Sequence, residues 1–279
     1  MTTNPVFSRE MKISSRSIRL PLILAAFNII LAVFALASMT ATINQARSDA
    51  IIDYAAFLTI FKYVAIIEFA MALFIMPALT AGSISGERER RTLDLMLTTK
   101  LTPGRIVIGK LLTNMYNVIV VLVSSLPVLA LVFVYGGVTP GDFAVLMISF
   151  ITVAFVTATI GTFASSFCSR SSASTAIAYA LVLLLVGGTL GICILAFNLG
   201  GTAGGWFYML LVNPAVTFYS AISSMTGNRG AVADMASQLG TTVKMTSGFW
   251  FAAGTIIQII LGVLLTILSI RNLYPKKKA

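Results

Sequence analysis

Apolar positions gather into six long runs: Leu20–Thr42, Phe57–Thr80, Leu111–Tyr135, Phe143–Phe167, Thr175–Asn198 and Gly248–Ile270. Crossing a hydrocarbon core of about 30 Å takes a helix of about 20 residues, and every run is that long. Backbone amides inside lipid find no water, so each segment must bond them internally, and a helix does this. The runs show neither the alternation nor the short length of barrel strands. The pattern predicts an all-α integral membrane protein with six spans, forming one transmembrane domain over residues 1–279.

A seventh segment competes. Trp206–Ser223 is apolar and aromatic, but Asn213-Pro214 interrupts it. Proline at a helix break and Trp or Tyr near an interface suit a re-entrant or interfacial pair of helices on the outer side better than a full crossing. The first run is too long for a signal-peptide core, so it is expected to stay as an anchor.

Composition agrees. Hydrophobic residues make up 58% of the chain and charged residues only 10%, against about 25% charged in soluble proteins. Histidine is absent, which removes imidazole bases, His metal ligands and Ser-His-Asp triads. Cys168 and Cys193, the two cysteines, lie in or beside apolar runs, where neither a disulfide framework nor a zinc site is expected. The net charge of +10 would suggest nucleic acid in a soluble protein, but here it reports topology, and no nucleic-acid partner is expected. Fifteen of the nineteen basic residues fall on one set of connections: the N-terminal stretch, the loop after the second run, the link after the fourth, and the C-terminal tail. The positive-inside rule then places both termini in the cytoplasm.

Residues 4–19 can form one helix before the first span. Arg9, Lys12, Arg16 and Arg19 share one face, and Phe7, Met11 and Ile18 another. Such a helix would lie in the headgroup plane against membrane lipid; a disordered basic flank is the plainer alternative.

The most informative loop covers residues 85–100. Gly82 and Gly86 permit a turn, and Glu87–Thr99 is rich in helix formers. Leu93, Met96 and Leu97 recur at helical spacing as an apolar patch behind the charges Glu87, Arg88, Glu89, Arg90 and Arg91, with Thr92 between. A short charged helix with an apolar patch can dock on a partner; a solvated loop between two spans fits the same pattern.

Polar residues inside the spans are the other candidates. Glu68 lies about 16 Å of helix rise into the second run, near mid-bilayer. An ionisable group there is a functional candidate; a protonated Glu bonded to a neighbouring helix is the structural reading. Lys62 is turned about 240° from it and is expected to snorkel. Asn114 and Asn117 in the third span and Gln258 in the sixth suit either interhelical hydrogen bonds or a substrate path. Enzyme chemistry finds no footing. Gly82–Gly86 has Ile84 where a nucleophile elbow needs serine, and an intramembrane carboxylate dyad would need a second buried acid besides Glu68.

The loop also carries a resemblance. Gly86-Glu87-Arg88-Glu89, Thr92-Leu93, Leu95–Leu97, Thr102-Pro103 and Gly109-Lys110 follow in the order seen between the second and third spans of ABC-2 type permeases, the membrane subunits of one class of ATP-binding-cassette exporters. Asn4–Glu10 resembles the start of many such chains. The resemblance implies export across the cytoplasmic membrane of a prokaryotic cell and a second permease subunit, as homodimer or heterodimer. It also implies two copies of an ATP-binding subunit gripped by a coupling helix in the charged loop. Glu87, Arg88, Glu89, Arg90, Arg91, Thr92, Leu93 and Leu97 would make that contact. ATP and Mg would sit on the partner, because Gly109-Lys110 is followed by Leu111 and the chain shows no phosphate-cradling GxxxxGK[ST] loop. An ATP-independent transporter or channel using Glu68, and a non-transporting anchor, are the alternatives.

Overall fold

The computed structural model describes residues 5–16, 18–49, 54–93, 102–136 and 139–273. The first four helices are α1 (Pro5–Arg16), α2 (Arg19–Asp49), α3 (Tyr54–Thr80) and α4 (Ser85–Glu89). Next come α5 (Pro103–Gly136), α6 (Pro140–Phe167) and α7 (Ser171–Gly200). A 3₁₀ helix (Gly204–Leu211), α8 (Pro214–Met225), α9 (Ala231–Gln238) and α10 (Ser247–Leu273) complete the order. Among the described residues, six helices are long and apolar enough to cross a membrane: α2, α3 (counted on through α4), α5, α6, α7 and α10.

The spans are longer than the apolar runs because polar turns cap them. α5 begins at Pro103, eight positions before the expected Leu111, with proline in the first turn where no amide is needed. α6 begins at Pro140 on a capping box: the Thr139 hydroxyl accepts from the Asp142 amide (3.2 Å), and Asp142 accepts from the Thr139 amide (3.1 Å). α7 ends on Gly201, whose φ of 72° suits glycine.

The main core lies between α2, α3, α5, α6 and α8. Phe27, Phe61, Met76, Leu129, Phe150 and Phe218 are among its buried side chains. α8 places Phe218 between Phe69 (ring centroids 4.2 Å, stacked) and Phe150 (5.5 Å). A second core, centred on Trp250 and Phe207, joins the 3₁₀ helix, α9 and the start of α10. At the crossing of α3 and α6, a side chain on Gly161 would run into Thr80, so only glycine allows that approach.

α7 contains a π-turn, Leu184–Gly188. Such turns loosen the regular ladder and leave a carbonyl available. Here the Asn213 amide donates to the Val186 carbonyl (2.8 Å) and to the Thr189 hydroxyl (2.8 Å). The Asn213 oxygen meanwhile accepts from the Ala215 amide (2.8 Å) and caps α8. The break read at Asn213-Pro214 is therefore a helix start, with a 3₁₀ helix before it and an α-helix after it. Helix α9 was not anticipated from the pattern.

Candidate functional site

The charged loop opens where α3 ends. Past Thr80 the chain turns, and the amides of Ile84 and Ser85 both donate to the Ser165 hydroxyl of α6 (2.8 Å each). This double contact sets where α4 begins. α4 is only five residues long. The helix expected over Glu87–Thr99 is interrupted at Arg91, which takes a left-handed backbone with φ 57°. Tertiary contacts outweigh propensity here. Thr92 folds back on Glu87, its hydroxyl lying 3.1 Å from the Glu87 carbonyl and hydrogen-bonding the Glu87 carboxylate. Leu93 is 3% exposed and packs with Ile84, Val107 and Leu273. Met96 and Leu97 lie outside the described residues.

Most charges of this turn are closed within the chain. Arg88 donates to the carbonyls of Cys168 (2.9 Å) and Ser166 (3.1 Å) at the C-terminus of α6, where unpaired helix carbonyls favour a cation. Glu89 accepts from the Ser171 hydroxyl (2.8 Å) and amide (3.1 Å) at the N-terminus of α7, where an anion is favoured. Those two bonds hold its carboxyl below the usual range. The α4 turn thus matches the α6–α7 link, base to C-terminus and acid to N-terminus. Arg90 and Arg91 remain exposed.

Glu87 points the other way, into a three-part ionic cluster. The Lys110 ammonium of α5 lies 3.0 Å from Glu10 Oε1 of α1 and 3.4 Å from Glu87 Oε1. Lys110 is 4% exposed. Burial pushes the Glu87 carboxyl up, but the Thr92 hydroxyl, the Lys110 ammonium and the Arg9 charge together hold it below its ordinary value. α1 packs on the beginning of α5, with Val6 buried and Arg9 exposed.

Inside the bundle the polar groups are arranged differently. Glu68 is completely buried and meets Ser125 of α5. On the adjacent residue of α5, the Asn28 amide of α2 donates to the Ser124 hydroxyl (2.9 Å). Gln258 of α10 donates to the Thr217 hydroxyl of α8 (2.7 Å). Asn114 is buried, and Asn117 is half-buried on the same helix.

The family model described as ABC-2 family transporter protein matches residues 5–271. The chain belongs to the ABC-2 family. No curated protein matches it. It is accordingly an ATP-binding-cassette transporter permease, a multi-pass membrane component of a family that generally works with an ATP-binding subunit and is generally not catalytic itself.

Of the permease residues singled out from sequence, the structure brings Glu87, Arg88, Glu89, Thr92 and Leu93 into intrachain contacts and leaves Arg90 and Arg91 outward. Glu68, Asn114, Asn117 and Gln258 are spread over three spans and do not form one cluster. Sequence reasoning missed Glu10 and Lys110 as partners and Asn213 as a tie between α7 and α8. Only Asn213 carried a local signal, an asparagine directly before a proline that opens a helix.

Proposed function

We propose that this ABC-2 permease exports its substrate using ATP hydrolysed on a separate subunit, which grips the turn carrying Arg90 and Arg91. The buried Lys110 supports this reading above all else. Its ammonium binds Glu87, just before the turn, and Glu10 of α1, while its own backbone belongs to α5. A force applied at the turn would therefore reach a span and a surface helix together. In this reading Glu87, Arg88, Glu89, Thr92 and Leu93 hold the shape of the turn, and Arg90 and Arg91 meet the partner. Leu97 belongs to the same segment. Two ATP-binding subunits and a second permease, identical or similar, would complete the assembly, with ATP and Mg on the partners. The basic end would face the cytoplasm of a prokaryotic cell, and the 3₁₀–α8 pair would re-enter from the opposite side.

The test is co-purification of the tagged permease with its ATP-binding subunit in mild detergent. Arg90→Glu with Arg91→Glu should weaken association by about tenfold, roughly 1.4 kcal/mol, with membrane insertion unchanged. Unaltered co-purification and unaltered ATP hydrolysis by the complex would remove the turn from the coupling contact.

A further inference from the structure

Glu68 stands apart from the charged turn, and the hydrogens available around it can be counted. The Ser125 hydroxyl has two close partners: the Leu122 carbonyl at 2.7 Å and the Glu68 carboxyl. A hydroxyl owns one hydrogen, and a carbonyl oxygen can only accept. If Ser125 donates to Leu122, the hydrogen between Ser125 and Glu68 has to come from the carboxyl. The neighbouring serine shows the same arrangement with an unambiguous donor. Ser124 donates to the Val121 carbonyl (2.6 Å) and accepts from the Asn28 amide (2.9 Å). Two adjacent serines of α5 thus each bond their own preceding turn, and each faces a polar side chain from another span.

The rest of the environment offers no support for a carboxylate. The second oxygen, Oε2, is buried with no hydrogen-bond partner, an expensive position for half a negative charge. No cation reaches it among the described residues. On α3 itself, Lys62 is six residues earlier, about 120° around the helix and about 9 Å along it. On α5, Lys110 precedes Ser125 by about 22 Å of helix rise and is paired with Glu10 and Glu87; Tyr116 is exposed. α2 has ionisable residues only at its ends, Arg19, Arg47 and Asp49. On α6, Asp142 is engaged in the capping box with Thr139. α7 brings Tyr179, whose hydroxyl donates to the Phe74 carbonyl (2.6 Å). α8 brings Phe218, while its Tyr219 is exposed.

We propose that Glu68 is a proton-binding site, held as the neutral acid and donating to Ser125, so that one proton fastens α3 to α5 in the middle of the bundle. Parting the two spans removes the acceptor of that proton. The latch is independent of how the transporter is driven.

The test is infrared spectroscopy of the purified permease in lipid vesicles at neutral pH. The difference between wild type and Glu68→Gln should show the C=O stretch of a protonated carboxyl. Ser125→Ala should keep that band and move it to higher frequency, because the acid loses its acceptor. Glu68→Gln still donates through its amide and should melt with the wild type, whereas Glu68→Ala should melt lower. A difference spectrum containing only carboxylate stretches overturns the proposal, and so does a Gln variant as unstable as the Ala variant.

Discussion

Lys110 and Glu68 are both almost wholly enclosed, on spans that pack against each other, yet the fold handles them in opposite ways. Lys110 sits at the basic end among two carboxylates and the charge of Arg9. Glu68 is fully enclosed in the bundle, with Ser125 as its hydrogen-bond partner. Near the rim of the bundle, water reaches Glu10 and Glu87 in part, so ionic partners keep some hydration and the attraction is worth having. Glu68 is fully enclosed, and an uncompensated charge there is too costly to keep. The chain therefore joins its elements with charges at one end and with neutral donors at the centre: Asn28 to Ser124, Gln258 to Thr217, Asn213 to Val186.

The largest effect expected from breaking this division is at Lys110. Lys110→Met would leave two partly buried carboxylates facing each other, at a cost of about 3 kcal/mol. Thermal unfolding in detergent measures it, and a melt equal to wild type would mean the cluster holds nothing together. Acid sharpens the same experiment. The Glu87 carboxyl is held below its ordinary value, so its stabilisation is complete above the ordinary value of about 4.3 and is lost as pH falls through the lower folded value. The gap between wild type and Lys110→Met should therefore close in acid.

An intermediate effect belongs to Asn213. Replacement by alanine removes the cap of α8 and the two bonds to the π-turn of α7. The expected loss is about 2 kcal/mol, near 1 for the cap and the remainder for the amide bonds. Amide exchange should rise in α8 and around Val186 together; a rise in α8 alone would separate the two roles.

The smallest effect is at Gln258. Gln258→Met conserves volume and removes one interhelical hydrogen bond, worth about 0.6 kcal/mol on average inside membranes. A loss as large as that of Lys110→Met would show that neutral bonds carry as much as the charged cluster, and the contrast between the two regions would fail.

What could be read locally follows from what each signal depends on. The six crossings depend on runs of about 20 apolar residues, and the helices found extend those runs at their capped ends. Asn213-Pro214 is a break whatever surrounds it, since proline lacks an amide and asparagine favours a cap. Propensity across Glu87–Leu97 favours helix, but the chain turns at Arg91 because Thr92 returns to Glu87 and Leu93 enters a pocket beside Val107 and Leu273. The Thr92–Glu87 contact spans only five residues, but Val107 and Leu273 are brought to Leu93 by packing and leave no trace in a local window.

The sequence alone determined that this chain lives in a membrane, how many times it crosses, and where its charges concentrate, because hydropathy and charge act residue by residue along the chain. It also carried the order of motifs that marks the ABC-2 family. Only the tertiary structure decided which charges face one another. Lys110 meets Glu10 from 100 positions away, Arg88 meets the end of α6 from 80, and Glu68 meets Ser125 from 57. The energy of an ion pair or a buried hydrogen bond depends on distance and burial after the helices have packed, and neither quantity is written in the order of residues.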